Sequence, residues 1–150
     1  MSKSTKARPI IILMAEDNPT DVMITKEGLL LSKMHNILHV VDDGVEAMEF
    51  LHQRGKYANA PRPDLVLLDL NMPRKNGQEV LAEIKGSDHL KSIPVVVLTT
   101  SQSEEDLLKA YGLHANCFIS KPVDFNAFTK VVQTIQDFWF CVVTLPPNPQ

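Results

Sequence analysis

Short apolar runs recur along the chain and are separated by longer amphipathic stretches. Four of the runs are mostly continuous, at residues 10–15, 65–70, 93–98 and 117–119. Continuous runs suit strands that are buried on both faces of a parallel sheet, and the consecutive valines at 95–97 favour strand over helix. A weaker run at residues 37–41 predicts a fifth strand, suited to an edge of the sheet.

Helix start signals lie between these runs. Asn18, Asp43 and Asn76 are expected to cap the first three helices. Ser103 is followed by acids at residues 104–106, which suit the positive end of a fourth helix. A fifth helix from residue 124 is predicted by apolar residues at helical spacing: Phe125, Phe128, Val131, Val132, Ile135 and Trp139.

Five alternations of strand and helix predict one α/β domain. Its parallel sheet would be doubly wound, with right-handed crossovers that place helices on both faces. The 150 residues are enough for a domain with its own core. We expect a flexible segment at residues 1–8, the domain at 9–140 and a C-terminal extension at 141–150. Ligands of such sheets bind at the carboxyl ends of the strands, near the point where the strand order reverses.

Composition narrows the function classes. The net charge of −3 argues against a nucleic-acid binder, because no excess of basic residues could neutralise phosphates. Cys117 and Cys141 are too few and too far apart to suggest a zinc site. The apolar run at 10–15 stops at Glu16 and is too short for a signal peptide or membrane span. We therefore expect a cytoplasmic protein with a protein partner, bound to neither nucleic acid nor membrane.

Five polar side chains follow or end the predicted strands. They are Glu16, Asp17, Asp69, Thr99 and Lys121. Each alone has an ordinary interpretation, such as a helix cap, a turn former or a solvated side chain, but scattered caps would have no reason to share one edge of the sheet. Three carboxylates in one cleft repel one another and call for a cation. Because Mg²⁺ prefers oxygen ligands, the sequence predicts a site for Mg²⁺ or Mn²⁺ there.

The order and spacing of these residues resemble the receiver domains of two-component response regulators. The resemblance covers residues 9–140 and includes the acid pair at 16–17, the segment at 67–73 followed by Gly77, then Thr99, and finally the pair at 121–122. It implies a CheY-like, flavodoxin-like (βα)5 fold with strand order 2-1-3-4-5. Further likenesses point to the stand-alone regulators of cyanobacterial phytochromes: residues 60–63, the run 93–101, and a tail with Phe138, Trp139 and residues 144–146.

The resemblance implies roles for residues around the predicted cation. Asp69 matches the phosphoacceptor and a metal ligand, and Asp17 and the backbone carbonyl of Asn71 match further metal ligands. Glu16 matches the second acid, often bound through water. Because carboxylate attack on a donor phosphohistidine gives a labile acyl phosphate, Asn71 and Ser101 are expected to tune its lifetime.

The resemblance also implies a switch. Thr99, Thr100 and Lys121 match residues that contact the phosphoryl group, Phe118 matches an aromatic side chain that swings inward on activation, and the bond before Pro122 matches a cis-proline. We expect Thr99 to move towards the phosphoryl group and Phe118 to fill the vacated space. The surface of the fourth helix, fifth strand and fifth helix would then shift, because output must come from shape.

The implied partner is a sensor histidine kinase, expected to be a phytochrome, and the downstream partner has no signature in the sequence. The chain itself would not be an enzyme, although it would assist its own phosphorylation and dephosphorylation. The apolar extension at 141–150 has two open interpretations, a strand packed on its own domain or a segment of a homodimer interface. The dimer would use the face of the fourth helix, fifth strand and fifth helix together with this tail.

Three alternatives stay open from the residues. An aspartyl-phosphate phosphatase on a similar sheet would want a second acid two positions after Asp69, where the chain has Asn71, and an amide cannot act as a general acid. A nucleotide or flavin module would want glycine-rich or hydroxyl-rich turns in place of the acids at 16–17. A degenerate receiver could serve only as a scaffold. Departures from the common receiver pattern are Glu16, Asn76 and Thr100, and none of them removes a required ligand.

Overall fold

The computed structural model describes residues 9–31, 35–110, 112, 113, 115, 117–121, 126, 129 and 133. Five strands are present: β1 Ile10–Ala15, β2 Asn36–Val41, β3 Leu65–Asp69, β4 Val95–Thr99 and β5 Cys117–Ser120. The helices with described bounds are α1 Pro19–Leu31, α2 Gly44–Leu51, α3 Gly77–Lys85 and α4 Gln102–Ala110, together with a short 3-10 turn at Gly55–Tyr57. None of the described helices is both long and apolar enough for a membrane crossing.

The five strands form one parallel sheet in the order β2-β1-β3-β4-β5, as predicted. Because β1 lies between β2 and β3, the direction of winding reverses there, and the crevice at the carboxyl ends of β1 and β3 is the expected place for a ligand. Asp69 at the end of β3 lies opposite Leu98 in β4, and Thr99 lies opposite Ser120 in β5.

Side chains of the central strands fill both faces of the sheet. Every residue of β3 and β4 is buried, which explains why their sequences are continuously apolar. One face packs against α2, α3 and Leu108 of α4, whereas the other packs against Leu29 of α1. β2 is only partly buried and forms one edge of the sheet, as its weaker pattern predicted.

The predicted caps of the first three helices are confirmed. Asn18 Oδ1 accepts from the N–H groups of Thr20 and Asp21, at 2.9 and 3.1 Å, and Asp43 Oδ1 accepts from the Glu46 N–H. α3 begins with a complete capping box, in which Asn76 and Glu79 each accept from the other's backbone N–H. These side chains fix where each helix leaves the sheet edge.

Several predicted boundaries move by one or two residues. β3 ends at Asp69 rather than residue 70, and β4 begins at Val95, because Pro94 has no N–H to give to the sheet. α4 begins at Gln102, and the Oγ of Ser101 accepts from the Glu104 N–H at 3.3 Å. Of the predicted fifth helix, residues 126, 129 and 133 are helical and exposed. Its apolar stripe, Pro122 and the extension at 141–150 lie outside the described residues.

Gly77 brings α3 against the end of β3. A Cβ at this position would overlap the carbonyl oxygen of Asp69 and lie 2.7 Å from the Cα of Leu70. These are backbone atoms, so they cannot rotate away. Position 77 requires glycine because α3 starts in direct contact with the end of β3.

We expect Gly77→Ala to lower the free energy of unfolding by about 2 kcal/mol, within the range for overpacked sites. Gly86→Ala is the matched control, because the C-cap Gly86 has φ −87° and its Cβ would lie 3.3 Å from the nearest oxygen. The control should change stability by less than about 1 kcal/mol in either direction. Urea unfolding of both variants checks this, and equal stabilities would contradict the close-contact argument.

Candidate functional site

Polar residues from four strand ends meet at one edge of the sheet. Glu16 and Asp17 follow β1, Asp69 and Thr99 end β3 and β4, and Lys121 follows β5. The structure brings the acids and the lysine into direct proximity, as the order of the strands predicts. Thr99 lies on the neighbouring strand end, with its backbone carbonyl accepting from the Lys121 N–H at 2.8 Å.

Three carboxylates gather in this crevice. Oxygens of Glu16, Asp17 and Asp69 all lie within 4.8 Å of one another. Glu16 and Asp69 are each 1% exposed, whereas Asp17 is exposed to solvent. Burial, and next the negative charge of Asp69, raise the pKa of Glu16 to about 7. The acids therefore repel one another and favour a positive charge among them.

Lys121 provides part of that charge. Its Nζ lies 3.2 Å from Asp69 Oδ1, 3.2 Å from Glu16 Oε1 and 3.1 Å from Asp21 Oδ2. Burial alone would lower the pKa of Lys121, but the hydrogen bond with Asp21 and the charges of Asp69 and Glu16 outweigh it and raise the pKa. One ammonium therefore contacts three acids, and Asp17 is a fourth acid close by, so acid groups outnumber the lysine in this crevice.

Two buried oxygens of this cluster have no hydrogen bond within the described parts of the chain. They are Asp69 Oδ2 and Glu16 Oε1, and the latter has only its ion-pair contact with Lys121. A buried carboxylate oxygen without a partner costs free energy, which a cation coordinated by it would recover. The donor set of three carboxylates fits Mg²⁺ or Mn²⁺, both of which favour oxygen ligands.

Asn71, two residues after Asp69, makes hydrogen bonds to two different acids. The backbone N–H of Asn71 donates to Asp69 Oδ1 at 3.2 Å, and the side-chain Nδ2 of Asn71 donates to Glu104 Oε2 at 2.8 Å. The predicted ligand role of the Asn71 carbonyl stays a prediction, as does the role of Pro122, which lies outside the described residues.

The predicted switch residues lie on β4, β5 and the turn after β4. Thr99 is 2% exposed, whereas Thr100 is exposed and its backbone N–H donates to Glu104 Oε1 at 2.8 Å. Phe118 is half-buried against the face of the sheet that carries α2 and α3. The Nζ of Lys109 in α4 lies 5.8 Å from the centre of its ring.

Sequence reasoning missed three participants. Asp21 lies in the first turn of α1, next to the end of β1, and that placement is the signal that could have found it. Glu104 was interpreted only as an acid at a helix start. Arg74 donates from Nε to Oδ2 of Asp43 at 2.8 Å, with a left-handed backbone at φ 65°. No sequence pattern indicates that pair, which joins the loop after β3 to the start of α2.

The sequence matches the family described as the response regulator receiver domain over residues 12–133. Response regulator Rcp1 of Synechocystis sp. is 49% identical over 138 residues, which cover 92% of this chain and 94% of Rcp1. The phosphorylated cyanobacterial phytochrome response regulator RcpA superposes with a TM-score of 0.76 at 47% identity, covering 93% of this chain and 100% of RcpA. The Mn²⁺-bound form of Rcp1 superposes with a TM-score of 0.75 at 49% identity, over 93% and 100% of the two chains.

We expect Mg²⁺ to stabilise the folded chain and Asp17→Asn to weaken that stabilisation. At about one hundred times the dissociation constant, a ligand of the folded state adds about 2.7 kcal/mol. Asp17 is the acid of choice because it is exposed, so its replacement leaves the buried charges in place. Thermal unfolding with and without Mg²⁺ measures the effect.

The matched control is Asp42→Asn, since Asp42 is an exposed acid that follows β2 at the same edge but is outside the cluster of three. It should keep the full response to Mg²⁺. A response that is equal in the two variants would show that the cation does not bind at the cluster.

Proposed function

This chain belongs to the response regulator receiver domain family, and on that basis we propose that Asp69 accepts the phosphoryl group of a two-component phosphorelay. The observation that carries the assignment is the state of Asp69 itself. Its carboxylate is 1% exposed at a ligand-binding sheet edge, with Oδ1 held by Lys121 and Oδ2 without a hydrogen bond among the described residues. Asp69 is thus a nucleophile that is held in position by one oxygen, and its other oxygen is available for attack.

The chemistry that we propose is transfer from a phosphohistidine of a sensor kinase. A carboxylate oxygen of Asp69 forms a bond to phosphorus as the bond from phosphorus to the histidine nitrogen breaks, and the product is an acyl phosphate. Lys121 holds its positive charge 3.2 Å from Asp69 Oδ1, where the phosphoryl oxygens gather negative charge. Water later attacks the acyl phosphate, the bond between phosphorus and the Asp69 oxygen breaks, and inorganic phosphate leaves with the carboxylate restored.

Receiver domains bind a divalent metal ion, and the acid cluster is the part of this chain suited to it. We assign the binding to the carboxylates of Glu16, Asp17 and Asp69 and to the backbone carbonyl of Asn71. When bound, Mg²⁺ or Mn²⁺ neutralises charge on the phosphoryl oxygens. The Mn²⁺-bound form of the similar Rcp1 supports the choice of a divalent ion.

For the switch we propose Thr99, Thr100 and Phe118. Thr99 is the last residue of β4, Thr100 follows it, and β4 pairs with the end of β3, so we expect both residues to contact a group attached to Asp69. Phe118 lies opposite Val97 in the register and is only half-buried, so an inward movement would bury more of its ring. A displacement of Phe118 would also disturb its contact with Lys109 of α4.

We propose that Asn71 and Ser101 set the lifetime of the phosphorylated state, because each lies two residues after a residue that would contact the phosphoryl group. Their side chains are tied to Glu104 or to its backbone N–H, so their positions depend on α4. The path of the attacking water would pass between them.

The partner that we propose is a phytochrome histidine kinase in the cytoplasm, on the basis of the similarity to Rcp1 and RcpA. A homodimer would use the face of α4 and β5, where Leu107 is 48% exposed. Turnover of small phosphorylated substrates is disfavoured because Asn71 carries an amide where a phosphatase needs an acid. A scaffold without phosphorylation is disfavoured because the nucleophile, the acids and the lysine are all in place.

Incubation with Mg²⁺ and acetyl phosphate should add one phosphoryl group to the wild type and none to Asp69→Asn. The added group should be lost in hydroxylamine, as expected of an acyl phosphate. Intact-mass spectrometry measures both results. Asp42→Asn is the control for loss of an acid at this edge and should be labelled like the wild type, whereas labelling of Asp69→Asn would rule out the assignment.

Thr99→Ala should still be phosphorylated but should lose the structural response. The expected signature is that the amide resonances of Cys117–Ser120 shift on phosphorylation in the wild type and stay unchanged in the variant. Thr99→Ser keeps the hydroxyl and should retain most of the response. If Thr99→Ala showed the full shift, Thr99 would not be the link between the site and β5.

A further inference from the structure

One carboxylate of α4 already occupies donors next to Asp69. Glu104 Oε1 accepts from the Thr100 N–H and Oε2 accepts from Asn71 Nδ2, both at 2.8 Å. Asn71 comes two residues after Asp69, and Thr100 follows the end of the neighbouring strand β4. Glu104 therefore ties the loop after β3, the turn after β4 and the first turn of α4 to one another.

The start of α3 shows what such a glutamate does when it serves only a helix. There, Glu79 accepts from the backbone N–H of Asn76, the capping residue itself, at 2.9 Å. In α4 the corresponding pair is Ser101 and Glu104, since Ser101 Oγ accepts from the Glu104 N–H. The carboxylate of Glu104, however, bonds to the residue before the cap and reaches across to Asn71. Compared with Glu79, Glu104 accepts from a residue one position earlier in the chain, and it also contacts the loop that follows the proposed phosphoacceptor Asp69.

Glu104 is also held in its charged form. Burial alone would raise its pKa, but hydrogen bonds from Thr100 and Asn71, together with the charge of Lys121, outweigh burial and lower the pKa. An anion thus lies on the N–H donors of the site before any phosphoryl group arrives. Phosphorylation replaces the single negative charge of the Asp69 carboxylate with about two on the phosphoryl group and adds three acceptor oxygens. These would repel the Glu104 carboxylate and compete for the same donors.

We propose that Glu104 is an internal competitor of the phosphoryl group, bound to Thr100 and Asn71 in the resting state and displaced when Asp69 is phosphorylated. This inference rests on the proposed function of Asp69. The competitor lowers the affinity of the site for phosphoryl groups, and its displacement frees the first turn of α4. Local charge at the site is thereby converted into movement of a helix.

The anchoring of α4 makes its first turn responsive to that release. Leu108, near the other end of the helix, is the residue of α4 that is fully buried. A cleft beside the site is lined in part by Asn71, Glu104 and Leu107, and the bond between Asn71 and Glu104 joins two of these lining residues. Loss of that bond leaves the first turn held by bonds within its own segment, such as the one between Ser101 and Glu104, while Leu108 keeps the helix on the sheet.

The test compares Glu104→Gln and Glu104→Ala with Glu105→Gln. Glu105 is the next residue of the same turn and pairs with Lys109 at 3.3 Å on the surface, so it controls for loss of a negative charge from α4. The probe is beryllium trifluoride with Mg²⁺, a stable mimic of the phosphoryl group, titrated by amide NMR. Glu104→Ala should bind it about tenfold more tightly than the wild type, the factor expected for a competing hydrogen bond to a charged group. The affinity of Glu104→Gln for the mimic should lie between those of the wild type and Glu104→Ala.

A second signal follows the side-chain amide of Asn71. The chemical shift of this amide should change when the mimic binds to the wild type. In Glu104→Ala the hydrogen bond to Glu104 is already absent, so the change on binding should be smaller. A purely structural role for Glu104 would lower stability without tightening binding of the mimic, so the affinity distinguishes the two roles. Glu104→Gln keeps the size of the side chain and provides the measurement if the alanine variant unfolds.

The outcomes separate the two hypotheses. If the wild type binds neither the mimic nor a phosphoryl group from acetyl phosphate, the proposed function of Asp69 is wrong. If the wild type binds both but both Glu104 variants bind the mimic no more tightly than Glu105→Gln does, the function stands and the competitor role is overturned.

Discussion

The site depends on the charge balance between Lys121 and the carboxylates around it. The ammonium is the cation in contact with two nearly inaccessible acids, Glu16 and Asp69, and with Asp21 at the rim. Removing one partner of a buried ion pair leaves a charge that is neither solvated nor compensated, at a cost of about 3–5 kcal/mol. The resting site therefore has more acid groups than cations, and a positive charge that enters would stabilise it.

The sheet makes this arrangement possible. A parallel sheet places the carboxyl ends of all its strands at one edge, and the reversal between β1 and β3 opens a crevice there. Because β3 and β4 are buried throughout, the residues that end them cannot shift without moving the core. The backbones of Asp69 and Thr99 are thus held at fixed positions. Conformational response is left to the rotation of their side chains and to the loops and helix starts beyond them.

Local patterns predicted most of the fold because they reflect local physics. Continuous apolar runs identify buried parallel strands, and the side chains of Asn18, Asp43 and Asn76 cap helices through contacts within three residues. The location of the site at one edge of the sheet was predicted from the positions of the strand ends alone. A proline that cannot donate explains why β4 starts later than its apolar run.

Contacts between distant segments were not predictable in this way. Asn71 and Glu104 are separated by 33 positions, and Arg74 and Asp43 by 31, so each bond depends on side-chain directions that only the assembled fold decides. Asp21 and Glu104 have ordinary local roles as acids in first helical turns, and these roles conceal their reach into the site. Arg74 has a left-handed backbone, which residue type alone would not indicate.

Asp43 performs two tasks with one side chain, and this has a mechanical consequence. One oxygen starts α2 by accepting from Glu46, and the other holds Arg74 in the loop that leaves Asp69. Glycine at position 44 lets that loop lie directly on the helix start, since a Cβ there would overlap the carbonyl of Lys75. The loop after β3 and the start of α2 are consequently joined at two points, the ion pair of Arg74 with Asp43 and the backbone contact of Lys75 with Gly44. A displacement of this loop would therefore displace the start of α2 as well.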